Sequence, residues 1–287
     1  MRSPILVTGG TGTLGQHAVR RLREAGRPVR VLTRRAQPDT DRADTDRADT
    51  GRPDGVEFMI GDLATGAGVD AAVAGVGVIV HCASSNKGDA DATRTLVRAA
   101  AAQPDPPHLV YISIVGTDLV PFGYTRTKLE CERIVADSGL PWTLLRATQF
   151  YDLILTGARS LARLPVVPVP ARFPVQPVAT DEVAARLVHL ALADPAGRVP
   201  DMGGPEVTTF ADLLRTYLRV TKRRRPVVPI PVPGIRAVRA GGLVVSERQA
   251  TAESVAGKVT WEEFLTSRAN GALPSPGVVH GSRTQLH

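Results

Sequence analysis

The chain has 287 residues, 43% of them hydrophobic, enough for one large domain or a domain with a smaller appended lobe and ample for a buried core. Only two cysteines occur, Cys82 and Cys131, and no Cys and His residues cluster at metal-ligand spacing, so neither a disulfide scaffold nor a structural metal is expected. The 35 basic and 28 acidic residues leave a net charge of +7, but the excess is mostly arginine scattered along helical patterns; the one dense cluster, "KRRRP" from Lys222 to Pro226, ends an amphipathic segment and reads as a solvent-facing helix end, not a nucleic-acid surface.

At the N-terminus "PILVTGG" enters an apolar strand almost at once, with no basic-then-apolar leader, and no run approaches the length that crosses a bilayer; a cytoplasmic protein without a membrane partner is expected. The helix pattern "LGQHAVRRLREAG" follows, with Leu14, Ala18, Val19 and Leu22 on one face and Gly26 as its C-cap. Strands "PVRVLTRR", "VEFMIGD", "VIVHCAS", "HLVYISIVG" and "WTLLRAT" then alternate with helical segments. Strands apolar on both faces in βα alternation predict a Rossmann-type α/β fold, a doubly wound parallel sheet covered by helices on both sides, over residues 1–150.

Between the second and third strands the repeat "TDRADTDRADT" (40–50) is charged and free of aromatic residues, so it is read as a disordered loop insertion without chemistry. Beyond Phe150 the texture turns to Pro/Val-rich segments around the helices "DEVAARLVHLALAD" and "FADLLRTYLRV". This predicts a smaller C-terminal substrate lobe over 151–268, folded against the C-terminal edge of the sheet. "TWEEFL" carries a capping box, Thr260 with Glu263, and 269–287 reads as a flexible tail.

"VTGGTGTLG" lies directly after the first strand and opens the first helix, so Thr8, Gly9, Gly10, Thr11, Gly12, Thr13, Leu14 and Gly15 form a candidate dinucleotide turn. Gly10, Gly12 and Gly15 satisfy G-x-G-x-x-G, and Gly9, Gly12 and Gly15 the wider G-x-x-G-x-x-G. Glycine lets the backbone approach a pyrophosphate, whose charge faces the free N–H groups of the helix start. Gln16 and His17 follow Gly15 where a P-loop would need Lys and Ser or Thr. At the end of the second strand stand Thr33, Arg34 and Arg35 and no acid; a guanidinium suits a 2′-phosphate that a carboxylate would repel, so NADP(H) is favoured over NAD(H). Asp62 and Leu63 of "GDL" are placed to meet the adenine, and Ala83 and Ser84 to lie beside the cofactor.

With only four tyrosines in the chain, a Tyr-x-x-x-Lys pair has little chance of arising at random, yet Tyr124 and Lys128 form one at the start of the helix after the fifth strand. Spacing of i, i+4 puts both on one helix face. Ser113, eleven residues upstream, ends that strand.

The glycine turn, Ser113 and the Tyr124/Lys128 pair together resemble the short-chain dehydrogenase/reductase superfamily. The wider glycine spacing, "GDL", "LRATQFYD" and "QPVATDEVA" resemble its extended and atypical branches, the NmrA-like and nucleotide-sugar epimerase-like proteins; the likeness covers roughly residues 4 to 220. The resemblance implies that Tyr124 protonates a carbonyl oxygen as it receives hydride, that Lys128 favours tyrosinate and binds the nicotinamide ribose, and that Ser113 orients the substrate oxygen. Phe122, Gln149, Phe150 and Tyr151 are candidate substrate-lining residues, with core packing an equal alternative for Phe150 and Tyr151; Arg146 and Arg172 are the cations available to a sugar diphosphate. The expected function is an NADPH-dependent oxidoreductase for a small, largely apolar carbonyl compound of specialised metabolism. Transient oxidation in an epimerase or dehydratase cycle, and a non-catalytic NADP(H) sensor, are the alternatives. Many superfamily members dimerise through first-lobe helices, which leaves a homodimer open.

Overall fold

Four consecutive residues, Ile5–Thr8, form β1 and are fully buried, as a strand covered on both faces requires. The computed structural model describes residues 3–35, 56–85, 88–120, 123–231, 236–245 and 256–269. The TDRAD repeat, Phe122 and the chain beyond Ala269 lie outside the described residues. After β1 come α1 (Thr13–Glu24), β2 (Val29–Thr33), β3 (Val56–Ile60), α2 (Val69–Val73), β4 (Val78–His81), α3 (Asp89–Ala101), β5 (His108–Ile114), α4 (Gly123–Ala136) and β6 (Trp142–Ala147). These strands pair in parallel in the order β3-β2-β1-β4-β5-β6. The order reverses between β1 and β4, which opens a crevice at their C-terminal ends, the position where such sheets bind ligands. α1 closes as expected at Gly26: its N–H reaches Arg23 O and that of Arg27 reaches Leu22 O, a Schellman pair made possible by φ +65° at the glycine.

The second half continues as α5 (Tyr151–Leu161), β7 (Val167–Pro170), β8 (Pro174–Val175), α6 (Thr180–Ala191), β9 (Gly197–Arg198), β10 (Thr208–Thr209), α7 (Phe210–Val220), β11 (Val227–Ile230), α8 (Arg236–Arg239) and α9 (Trp261–Ala269). The expected boundary near Phe150 is crossed twice. β9 pairs in parallel with β6 as the seventh strand of the central sheet, and α6 packs against α1. Val183, Ala184 and Leu187 are fully buried in one cluster with Ile5, Val7, Leu14, Ala18 and Leu22. The reason is geometric: α1 alone does not cover this face of the sheet, and α6 supplies the missing apolar layer over β4, β5 and β6. Asp181 in its first turn accepts hydrogen bonds from Arg20, Arg21 and His17 of α1, a placement that the helix dipole also favours.

What remains of the second lobe has its own core of Tyr151, Ile154, Leu155, Val167, Val169, Leu214, Tyr217, Trp261 and Phe264. The Pro/Val segments form a parallel ribbon, β7 with β11, in which Val167 and Val169 point inward while the prolines take positions that a two-stranded edge tolerates. The capping box of α9 closes reciprocally: Thr260 N–H reaches Glu263 Oε2 at 2.8 Å and Glu263 N–H reaches Thr260 Oγ1 at 3.3 Å. Residues 222–225 are exposed beyond α7. No helix among the described residues is long and apolar enough to cross a membrane.

Candidate active site

The glycine turn joins β1 to α1 at the C-terminal edge of the sheet, and its backbone leaves no room for side chains. Gly9 has φ +68°, and a Cβ there would lie 2.7 Å from Ala83 Cα; one on Gly15 would lie 2.1 Å from Gly9 O. Gly12 is the N-cap of α1 and its own N–H bonds Gly9 O, while no side chain caps the helix and its first turn holds no acid. Thr11, Gly12 and Thr13 are exposed at the mouth of this cradle, and Leu14 is buried beneath it. Free N–H groups, a positive dipole end and backbone laid bare are what a pyrophosphate needs, so the turn fits the dinucleotide predicted for it. Arg34 and Arg35 are exposed at the end of β2, with no carboxylate bonded to either among the described residues. Asp62 caps its own turn by accepting from Ala64 N at 3.0 Å, and Leu63 is buried in the core beside Leu32.

Ala83, packed against Gly9, carries the chain from this turn to the second half of the site. Ser84 is exposed just after it, and its Oγ stands 3.2 Å from the Tyr124 hydroxyl and 2.7 Å from Asp89 Oδ2. Asp89 opens α3, is buried, and also accepts from the Ser85 N–H through Oδ1. On its other side lies Lys128, 3 % exposed, with Nζ 3.4 Å from Asp89 Oδ2 and donating to the Tyr111 hydroxyl at 3.2 Å. The same ammonium lies 5.8 Å from the centre of the Tyr124 ring, whose residue is 43 % exposed. The predicted Tyr124/Lys128 pair is therefore brought together as a buried cation beneath an accessible phenol. Sequence reasoning missed Asp89 and Tyr111, the two residues that hold the cation.

Ser113 lies elsewhere. It is 1 % exposed, and its hydroxyl donates to Glu132 Oε1. Among the described residues it makes no hydrogen bond to Tyr124 or Lys128. Glu132, one turn beyond Lys128 on α4, is also clasped by Arg146, Nε to Oε1 at 2.9 Å and Nη2 to Oε2 at 2.6 Å, while Arg146 Nη1 reaches Asp118 at 3.2 Å. Arg146 is thus sealed inside, and Arg172 is exposed with φ +52°. Tyr151 belongs to the core of the second lobe, 5.3 Å from the Trp261 ring and 5.2 Å from that of Phe264, with its hydroxyl on Val259 O. Phe150 packs against the first-lobe core. Gln149 bridges backbone: Nε2 donates to Leu243 O at 2.9 Å and Oε1 accepts from Gln176 N at 3.4 Å. These bonds tie segment 236–245 to the end of β6, and Val238 of that segment packs on Val120, four residues before Tyr124.

A second line of hydroxyls fixes the floor. Thr8, fully buried, stands with Oγ1 2.6 Å from His81 Nδ1, His81 Nε2 lies 3.4 Å from Thr93 Oγ1, and Thr93 donates to Asp89 O at 2.7 Å. Because the Thr93 proton is on Asp89 O, Nε2 donates to Thr93, and in a neutral ring Nδ1 then accepts from Thr8. Burial, reinforced by the Lys128 charge, pushes His81 down to about 3 and so keeps the ring neutral. Loss of solvation pushes the Cys82 thiol up to about 12, and burial raises the Tyr111 phenol far above its ordinary value. Neither is an ionised nucleophile at neutral pH.

Comparison with known proteins identifies the family. Residues 9–194 match the model of a family described as NAD(P)H-binding. A (4-alkanoyl-5-oxo-2,5-dihydrofuran-3-yl)methyl phosphate reductase of Streptomyces griseus is 34% identical over 226 residues, covering 76% of this chain and 74% of its own. Among solved structures, the NADPH complex of an NADPH-dependent quinone oxidoreductase from Escherichia coli superposes with a TM-score of 0.75 at 18% identity, over 93% of this chain and 100% of the other. A nucleoside-diphosphate-sugar epimerase from Staphylococcus aureus gives 0.71 at 15% identity, over 92% and 99%. The structures carry the fold alone, and the family model and the Streptomyces relative carry kinship: the chain belongs to the NAD(P)H-binding family.

Proposed function

We propose that the protein is an NADPH-dependent oxidoreductase that transfers hydride to a small, largely apolar carbonyl compound. The observation that carries this reading is the continuity of the site: Gly9 touches Ala83, the next residue Ser84 touches the Tyr124 hydroxyl, and Lys128 lies buried beneath that phenol. Bound NADPH supplies the hydride. Tyr124 delivers a proton to the oxygen that gains charge, and Lys128, with two N–H groups directed at Asp89 and Tyr111, keeps a third for a ligand hydroxyl while its charge favours the tyrosinate left behind. Arg34 and Arg35 offer the guanidinium groups that a 2′-phosphate requires.

Two observations favour a carbonyl compound over a sugar nucleotide. Arg146, the buried cation nearest the end of β6, is clasped by Glu132 and Asp118 and cannot serve a diphosphate. The Streptomyces relative is named for a methyl phosphate ester that carries alkanoyl and ring oxo groups, which supports a carbonyl-bearing substrate but not an uncharged one, and a quinone oxidoreductase of Escherichia coli is 26% identical over 155 residues, 54% of this chain and 51% of its own.

Calorimetric titration with NADPH, NADH, NADP and NAD tests the reading. The phosphorylated pair binds more tightly, and Arg34→Ala weakens NADPH by about 10- to 100-fold while leaving NADH nearly unaffected, the loss expected for a charge-assisted contact. NADPH consumption is then followed with quinones, enones and ketones. Absence of binding by all four dinucleotides refutes the proposal; a preference for NAD that Arg34→Ala does not change refutes its cofactor half.

A further inference from the structure

Two serines stand near α4, and the bonds they make are not alike. Ser113 sits at the end of the fifth strand but is buried on Glu132. Ser84, forty residues from Tyr124 in sequence, is the hydroxyl in contact with the phenol at 3.2 Å. A serine has one O–H. At 2.7 Å from an anionic oxygen, the Ser84 proton belongs to Asp89 Oδ2, the stronger and closer acceptor. Ser84 Oγ can therefore only accept from Tyr124, and the phenol proton points at Ser84. Asp89 is fixed in turn by the Ser85 N–H and by Lys128. One carboxylate thus sets both the direction of the serine lone pair beside the phenol and the position of the cation beneath it.

From this geometry we infer that Ser84, locked by Asp89, is the positioning residue for the Tyr124 hydroxyl, in place of Ser113. This rests on the proposed reading of Tyr124 as proton donor. In the resting protein Ser84 Oγ occupies the place of acceptor for the phenol proton, at the residue that follows Ala83 and the glycine turn. An incoming carbonyl oxygen replaces it as acceptor and meets a donor already aimed at the cofactor side of the crevice. Nothing is oxidised or reduced by Ser84: the proton leaves Tyr124 for the substrate oxygen, and Ser84 keeps its own proton on Asp89. Without that acceptor the side chain of a residue 43 % exposed moves more freely, and fewer encounters find the donor in line.

Two readouts test the inference, and the first needs no substrate. The chain has four tyrosines, so a sample labelled with carbon-13 at the tyrosine ring carbon that bears the hydroxyl gives four resonances, and the one missing in Tyr124→Phe is that of Tyr124. Ser84→Ala moves this resonance, Ser84→Thr restores it, and Ser113→Ala leaves it in place. A Tyr124 signal that follows Ser113→Ala, or ignores Ser84→Ala, overturns the inference. The second readout is turnover of NADPH with menadione, an apolar quinone. Ser84→Ala lowers kcat about tenfold with NADPH affinity by calorimetry within about twofold of the parent; Ser84→Thr recovers most of the loss, and Ser113→Ala loses less than Ser84→Ala. Equal loss in the two alanine variants, or a loss confined to NADPH affinity, overturns it. If Tyr124→Phe turns over menadione like the parent, the fault lies in the proton-donor reading itself; the resonance experiment still decides what Ser84 bonds.

Discussion

α4 carries two buried charges one turn apart, Lys128 and Glu132, and each is met by an opposite charge from a neighbouring element: Asp89 from α3 and Arg146 from β6. Each carboxylate of these two pairs also takes a serine hydroxyl, Ser84 on Asp89 and Ser113 on Glu132. The clusters differ in where they end. Glu132 receives Ser113, Thr117 and two guanidinium bonds, so both its oxygens are satisfied within the protein. The Asp89 cluster runs through Ser84 to a phenol that faces solvent. Buried ion pairs of this kind fix structure when closed. The same ingredients become a candidate for chemistry when one hydroxyl is left accessible beside a ligand-shaped turn.

The largest effect expected from breaking the closed cluster is in Glu132→Ala, which leaves the buried Arg146 with only its single bond to the half-exposed Asp118. Denaturant unfolding should show a loss of about 3–5 kcal/mol, with NADPH affinity of the protein that remains folded unchanged. A loss below about 1 kcal/mol would erase the distinction between the clusters.

The open cluster has a pH signature of its own. His81 faces Lys128, Asp89, Tyr111, Thr8 and Thr93 and is pushed down to about 3 from an ordinary value of 6.5. Between those values the unfolded chain binds a proton that the folded protein refuses, so stability rises with pH across the window and falls as pH drops from about 6.5 toward 3. The slope contributed is up to about 1.4 kcal/mol per pH unit. His81→Gln should flatten the acid limb of a plot of unfolding free energy against pH; an unchanged limb would show that the fold does not depress the His81 imidazole.

The smallest effect sharpens the comparison most, because one substitution is made at two sites. Both serines donate to a buried carboxylate, but water can replace the exposed Ser84 hydroxyl and not the sealed one, so Ser113→Ala should cost about 1.5 kcal/mol in unfolding and Ser84→Ala less, about 0.5 kcal/mol. Reversed magnitudes would exchange the roles given to the two serines.

Much of the first lobe could be read from local pattern. A strand, a glycine turn and a helix follow one another within Ile5 to Glu24, and their chemistry is dictated by neighbours in sequence. The Tyr124/Lys128 pair is legible for the same reason, since i, i+4 spacing fixes a shared helix face. Ser84 beside Tyr124 is a contact between chain segments with no spacing rule, and Asp89 looks like an ordinary acid in the first turn of a helix. Ser113 misleads because a hydroxyl at a strand end says nothing about which way it bonds; the cue that existed was Glu132, four residues after Lys128 on the same face. The return of the chain to the first lobe was hidden too, because β9 is two residues long and α6 is apolar enough to suit either lobe.

That return also governs the timing of assembly. The apolar face of α1, completed within the first 24 residues, is sealed by Val183 and Leu187, and its arginines close on Asp181 some 160 positions away. A chain emerging from the ribosome can form β1, the glycine turn and α1 early, but it must hold that face exposed until α6 and β9 have been made. Contacts of such separation slow folding and lengthen exposure to aggregation. A fragment ending at residue 150 would therefore carry the whole nucleotide turn and still be a poor candidate for a free-standing protein.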